Sequence, residues 1–420
     1  MAHFQLPNHF DRRTLIQAAG AVGIAQVASP FVNSARGETP IKIGMVDPLT
    51  GVYAAVAQNE VMGARIAVDE INARGGVLGR QVDLLVEDSA NDVGTGVQKT
   101  RKLIDRDQVS FVIGDVNSGI AQAMAQVTAE KKVLHVVSGG HTDGITGQDC
   151  KWNVFRVCNT TRMEANSVSD LLFTKYGKKW HFITPDYVFG HTLQEACAAN
   201  LKKLGGTVTG SELTPLGTND FSAYLIKARA ANPDVLMLLV QGSDMVNCLK
   251  QIVQFGINRQ IHIAGTQQEL ESLEALPPDA RIGIWMFEWY WKQPDTPHVA
   301  EFVANVRERT GGKVPTARTW FGYASIYSFA LVANRENTID SFKLARALGD
   351  FELPPEVKLQ PNKCYYRTGD HQLMTSAFVG EAQGKGADDP EDLFKVEAIV
   401  AGDKTSPPVS ETGCTLQWPA

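Results

Sequence analysis

The feature that most constrains this 420-residue chain is an alternation that begins twice. From Pro40 onward, short apolar runs rich in β-branched residues are followed by longer runs of helical period. Residues 41–46 read as a strand. Residues 57–73 carry Val61, Ala64, Val68 and Ile71 at offsets of three and four, which places one apolar stripe on one helix face. Gly75 and Gly76 then end that helix. Strands at 81–86, 109–114 and 133–137 alternate with helices at 97–104 and 118–130. After Cys158 the series restarts. Helices at 164–176, 192–204, 224–231 and 245–255 alternate with strands at 180–183, 208–213, 235–240 and 261–264. Strands this apolar, separated by helices, predict α/β parallel sheets covered on both faces, with right-handed crossovers. Two arrays predict two lobes. The stretch from Phe351 onward, rich in Pro and Gly, reads as irregular and is expected to pack on the second lobe.

Length supports two cores rather than one. With 44 % apolar and 20 % charged residues the chain is globular in composition. A net charge of −6 gives no footprint for nucleic acid. The first residues differ from the rest. Arg12 and Arg13 precede Thr14, Leu15 and Ile16, then a small-residue apolar run over 18–28. Basic, apolar and small-residue regions in that order describe a cleaved signal peptide over 1–37, and the paired arginines point to the twin-arginine route. An N-terminal core helix is the competing reading. The loop-like stretch 30–40, bounded by Pro30 and Pro40, argues against it. No later run is long and apolar enough to span a membrane.

Cys150, Cys158, Cys197, Cys248, Cys364 and Cys414 form an even set, which suits an oxidising compartment and allows fifteen pairings. The expected pairs are Cys150 with Cys158, Cys197 with Cys248, and Cys364 with Cys414. No Cys-x-x-Cys spacing suggests zinc.

Ligands of open α/β sheets bind beyond the carboxyl ends of the strands. Three such ends are Asp47 to Tyr53, Asp115-Val116-Asn117-Ser118-Gly119, and Ser138-Gly139-Gly140-His141-Thr142. Their hydroxyls and free backbone N–H groups would suit a carboxylate, and Gly119, Gly139 and Gly140 would permit close approach. Ser118 reads equally well as a plain helix cap. His141, standing alone, reads more readily as a packed loop residue than as a base. There is no Gly-x-Ser-x-Gly elbow, His-Glu-x-x-His pair, Walker loop or dinucleotide fingerprint, so binding is favoured over catalysis, with no cofactor and no metal.

Several runs together resemble a known family. They are Ile41-Lys42-Ile43-Gly44-Met45-Val46, Thr50-Gly51, Gly63-Ala64 with Glu70-Ile71-Asn72, and Gly75-Gly76-Val77-Leu78-Gly79-Arg80. Val112-Ile113-Gly114, Asp186-Tyr187-Val188-Phe189-Gly190, Asp220-Phe221-Ser222 and Gln254-Phe255-Gly256 follow in order. Over residues 40 to 375 the chain resembles the type I periplasmic solute-binding proteins of ABC importers, and within them the branched-chain amino-acid (Leu/Ile/Val) binding group. The resemblance implies two Rossmann-like lobes with parallel sheets, joined by three hinge crossings near 155–159, 284–287 and 351–358. Lobe one would be 40–156 plus 286–352, and lobe two 157–285 plus 353–420.

It also implies site roles. Ser118 and Thr142 would hold a ligand carboxylate with the Gly140 backbone, and Asn117 and His141 share those loops. Phe189 and Tyr187 would close over the ligand from lobe two, where Gln241 also stands at a strand end. Gln267 falls where the family has an acid for the ligand ammonium, with Glu269 two residues on. A neutral amide there implies a ligand without an α-amino group. Among aromatics, Tyr53 is favoured to line the cleft, ahead of Trp289, Tyr290 and Trp320. The implied protein is a periplasmic monomer that delivers a small carboxylate-bearing solute, an amino acid or an aliphatic or aromatic organic acid, to a permease and its ATPase. A sensor of the amide- or urea-responsive type is the alternative. Replacing Arg12 and Arg13 with lysine is expected to leave unprocessed precursor in the cytoplasmic fraction. Normal export of that variant, seen by fractionation and mass measurement, would exclude the twin-arginine route.

Overall fold

In the computed structural model, which describes residues 39–384 and 388–419, the double alternation becomes two separate sheets. The expected leader, 1–37, lies outside the described residues. The first array supplies β1 (Ile41–Asp47), α1 (Ala54–Ala73), β2 (Val82–Asp88), α2 (Val93–Arg101), β3 (Phe111–Gly114), α3 (Ser118–Lys131), β4 (Leu134–Val137) and β5 (Val154–Arg156). The second supplies α4 (Thr161–Tyr176), β6 (Lys179–Pro185), α5 (Val188–Lys203), β7 (Thr207–Thr214), α6 (Ser222–Ala230), β8 (Val235–Leu238), α7 (Gly242–Gln254), β9 (His262–Gln267), α8 (Leu270–Glu274) and β10 (Ile284–Phe287). Then come α9 (Val299–Thr310), α10 (Ala317–Glu336), α11 (Ser341–Leu348), α12 (Pro355–Lys358), β11 (Tyr365–Tyr366), β12 (Leu373–Met374), β13 (Ala377–Ala382), β14 (Phe394–Val400) and α13 (Gly402–Thr405).

The first sheet has the order β2-β1-β3-β4-β5 and is parallel throughout. Its order reverses between β1 and β3, and that switch point is where such a sheet opens a crevice. The second sheet has the order β14-β13-β10-β9-β8-β6-β7. Strands β6 to β10 pair in parallel, while β13 and β14 pair antiparallel on one side. The stretch expected to be irregular therefore contributes two ladder strands. Phe394 to Val400 alternates enough to serve as the outermost one, with Phe394 buried and Lys395 exposed.

The long helix α10 is buried along most of its length and packs on α1. Two glycines permit this. A Cβ on Gly63 would fall 1.8 Å from the Thr319 carbonyl oxygen, and one on Gly322 would fall 1.9 Å from that of Glu60. The backbones therefore touch, which brings Arg318 of α10 against Glu60 of α1.

Two expectations need correction. The third crossing does not fall at 351–358. Leu353, Val357, Leu359, Cys364, Tyr366 and Leu373 are buried in the first core, and Arg156 of β5 bridges to Gln372. The chain re-enters the second sheet only at β13, so 353–373 pack with the first array. The second crossing follows Phe287, because all four residues of β10 lie in the second sheet.

The cysteine pairing also differs. Cys150 is bonded to Cys414, while Cys158, Cys197, Cys248 and Cys364 are free and buried. Cys197 and Cys248 belong to separate cores packed on the second sheet, so they do not meet. Cys364 lies in the first core, and the Cys158 thiol sits 3.5 Å from the Gly140 carbonyl. The bond that does form ties the C-terminal tail back to the first array. There Trp418 stacks among Trp152, Phe342 and Arg346. Unfolded, non-reduced protein is expected to titrate four thiols. Cys414→Ser is expected to lower stability by about 2–4 kcal/mol, measured by denaturant unfolding.

Candidate functional site

The carboxyl ends of β1, β3 and β4 face those of β8 and β9 across a small cavity. Tyr53, Val56, Val116, Ser118, His141 and Arg318 line it from the first array and α10. Tyr187, Phe189, Gln241, Gly242, Gln267 and Glu269 line it from the second. About 300 Å³ of space, part of it open to solvent, lies between these groups.

Two contacts cross this cavity. The Tyr53 and Tyr187 hydroxyls meet at 2.8 Å. Arg318, 3 % exposed, donates from Nη2 (2.6 Å) and Nε (2.8 Å) to Glu269 Oε1. Its Nη1 also lies 3.5 Å from Glu60 Oε2. Burial works against this guanidinium, but Glu269 and Glu60 more than offset it and keep it charged.

The amides beside the bridge have fixed orientations. Gln241 Nε2 donates to the Gln267 carbonyl (2.9 Å), and Gln267 Nε2 donates to Glu269 Oε1 (2.8 Å). Neither can flip without setting oxygen against oxygen. Gln241 Oε1, Gln267 Oε1 and Glu269 Oε2 are thereby left as buried acceptors with no partner among the described residues.

Ser118 is the first residue of α3, not its cap. Asn117 caps the helix, accepting from Gly119 and Ile120 N–H, and it donates to Asn91. Ser118 Oγ accepts from the backbone N–H of His141 (3.0 Å) and Thr142 (3.2 Å). It thus fastens the β4 loop, and its own O–H remains to donate into the cavity. The structure brings Tyr53, Tyr187, Phe189, His141, Gln241 and Gln267 to one cavity.

Thr142 and Gly140 are not among them. Thr142 Oγ1 pairs with Thr192 Oγ1 at 3.2 Å and lines a neighbouring space of about 840 Å³, part of it open to solvent. A Cβ on Gly140 would strike Ala121 at 2.6 Å, so this residue faces its own core, and its carbonyl accepts from Arg156. Trp289, Tyr290 and Trp320 are core residues too. Their polar atoms donate to the Leu359 carbonyl, Asp392 and the Val357 carbonyl.

The group missed from sequence is Arg318. It lies about 200 residues from Ser118 in a helix without a local ligand motif, and only the α1–α10 contact brings it here. His141 Nδ1 lies 3.0 Å from Glu164 Oε1 and 3.4 Å from Glu288 Oε1, neither of which was singled out either.

Behind the cavity, burial pushes the Asp115 carboxyl up to about 8 and raises Asp47 and Glu60 as well. Folding therefore holds a proton on Asp115 that the unfolded chain releases near 4, and stability falls as pH climbs from there past 8. His135 and His371, pushed down to about 4 by burial, act at the other end. The unfolded chain protonates them near 6.5, so stability also falls as pH drops from there toward 4. Asp115→Asn keeps the acceptor for Asn117 N–H. It is expected to flatten the alkaline fall in melting temperature and, because Asp115 opposes the two histidines between about 4 and 6.5, to steepen the acid fall.

Three comparisons bear on this geometry. A sequence model of the periplasmic binding protein family matches residues 40–387. A "Leu/Ile/Val-binding protein homolog 2" of Brucella abortus (strain 2308) is 30 % identical over 324 residues, covering 73 % of this chain and 82 % of its own. Among solved structures, a periplasmic binding protein from Burkholderia mallei superposes with a TM-score of 0.83 at 26 % identity, covering 89 % of this chain and 98 % of its own. An amino acid ABC transporter substrate-binding protein from Pseudomonas fluorescens Pf-5 gives 0.81 at 27 %, covering 90 % and 100 %.

Proposed function

Because the chain belongs to the periplasmic binding protein family, we propose that it is the exported solute-binding component of an ABC importer, and that its solute is a small zwitterion of the amino-acid type. The observation that carries the solute class is the Arg318–Glu269 bridge across the cavity. A solute bearing both charges can replace each half of that bridge. Its carboxylate takes Arg318 and the Ser118 hydroxyl. Its ammonium takes Glu269 and the unpartnered oxygens of Gln241 and Gln267. Buried charge is conserved in the exchange.

A carboxylate without an amino group would take Arg318 and leave Glu269 buried without its cation. Uncompensated buried charge of that kind costs about 3–5 kcal/mol. The amide at Gln267, which by itself argued for an acid lacking nitrogen, stands beside a carboxylate in the same wall. The names of the Brucella and Pseudomonas relatives agree with an amino-acid solute.

Solute can reach these groups only when the Tyr53–Tyr187 and Arg318–Glu269 contacts part. The reading therefore includes two lobes that swing about crossings after β5, after β10 and before β13, a hinge motion. The lobe carrying the first sheet presents Ser118 and Arg318. The other brings Tyr187, Phe189 and Glu269, and the shut form is what the permease and its ATPase would receive.

The test is calorimetry on protein stripped by unfolding and refolding, against amino acids, their amides, urea, and aliphatic and aromatic acids. Amino acids are expected to bind. Glu269→Gln is expected to weaken them by about 1.5–3 kcal/mol, the range for a bond to a charged group. Binding of acids without an amino group, with amino acids inert, would overturn the zwitterion reading.

A further inference from the structure

Beside the cavity, past Arg318, a second set of polar atoms converges. One donor atom each from His141, Glu164 and Glu288 lies within 4.8 Å of the others. The three residues come from separate parts of the fold. His141 follows β4, Glu164 lies in the first turn of α4, and Glu288 follows β10 directly. They are 3 %, 0 % and 1 % exposed. Apart from facing each other at 3.0 Å, His141 Nδ1 and Glu164 Oε1 have no hydrogen-bond partner among the described residues, and neither has Glu288 Oε2. Both carboxylates are anchored. Glu164 Oε2 accepts from Thr266 Oγ1 at 2.9 Å, and Glu288 Oε1, the oxygen 3.4 Å from His141 Nδ1, accepts from Asn159 N–H at 2.7 Å. Outer bonds of this kind orient the ligands of metal sites.

The fixed cations nearby are committed elsewhere. Arg318 serves Glu269 and Glu60. Arg156 spends its donors on Gln372, Thr146 and the carbonyls of Gly140 and Thr142. Two buried carboxylates thus face one imidazole with no permanent positive charge of their own, an arrangement that a cation would relieve.

We propose that His141, Glu164 and Glu288 form a site for a divalent transition cation of the zinc type, assembled when the ends of the two sheets come together. One imidazole and two carboxylates suit zinc, cobalt or manganese. Calcium and magnesium take oxygen-only sets with more ligands. Three protein ligands leave a coordination position open, and His141 also belongs to the cavity wall. With the cation on Nδ1, the ring keeps its proton on Nε2. Arg318 Nη2, 3.4 Å from Nε2, retains its shorter bond to Glu269. Because each ligand comes from a different segment, the cation would staple the hinge and hold the shut form. The competing occupant is a proton, which would make His141 an imidazolium held between the two carboxylates.

The test uses tag-free, chelator-treated protein at mildly alkaline pH, without solute, so that its outcome does not depend on the solute class. Thermal shift and calorimetry are run with Zn²⁺, Co²⁺, Mg²⁺ and Ca²⁺. Zn²⁺ and Co²⁺ are expected to raise the melting temperature with one site per chain, and Co²⁺ is expected to develop visible d–d absorption. Mg²⁺ and Ca²⁺ are expected to leave it unchanged. His141→Gln and the near-isosteric Glu288→Gln should each weaken Zn²⁺ at least tenfold. His191→Ala, which removes the surface pair with Asp186, should not. Absence of any Zn²⁺ shift, or a shift that survives both site variants or vanishes with His191→Ala, overturns the proposal and leaves the cluster as an imidazolium–carboxylate pair.

Discussion

A buried guanidinium stands at the meeting place of the two arrays and sets the charges there. Arg318 projects from α10 into a region that also contains Glu60 and Glu269, all of them shielded from water. Either carboxylate left alone there would be an uncompensated buried charge. With Arg318 between them, one from α1 and one just beyond β9, a charge-assisted bond crosses from the first array to the second. The orientation of Gln267 and, through its carbonyl, of Gln241 follows from that bond.

The placement of Arg318 depends in turn on packing that carries no charge. Gly63 and Gly322 let α1 and α10 approach until backbone meets backbone. Phe321, beside Arg318, takes the guanidinium over its ring at 5.4 Å. The same long helix fills the first core with Trp320, Ile326 and Phe329. Chemistry at the cavity and stability of the first core are thus two faces of one helix, and a change in the Gly63–Gly322 contact should be felt at both.

Much of the frame was legible in the residues. The apolar strands and amphipathic helices of both arrays stand near where periodicity put them, because burial of a strand or of a helix stripe is written locally. The loops after β1, β3 and β4 were recognisable for the same reason, and Tyr53, Ser118 and His141 do line the cavity. Phe189 and Tyr187 came from the family resemblance and stand opposite them. Thr142 and Gly140 did not follow, since within one short loop Thr142 turns to Thr192 and a neighbouring space while Gly140 lies against its own core. The extent of the first core was misjudged after Phe351. Leu353, Val357 and Leu373 stand among Pro and Gly, with no period to show which core they enter.

Sequence by itself determined the two α/β arrays and the polar loops after β1, β3 and β4, since each follows from patterns within a few residues. Only the tertiary structure decided the partners. It joined Cys150 to Cys414 across 264 residues, placed Arg318 against Glu269, and gathered His141, Glu164 and Glu288. The reason is physical. Local periodicity sets which face of an element is buried, whereas the pairing of buried charges and thiols depends on which buried faces meet.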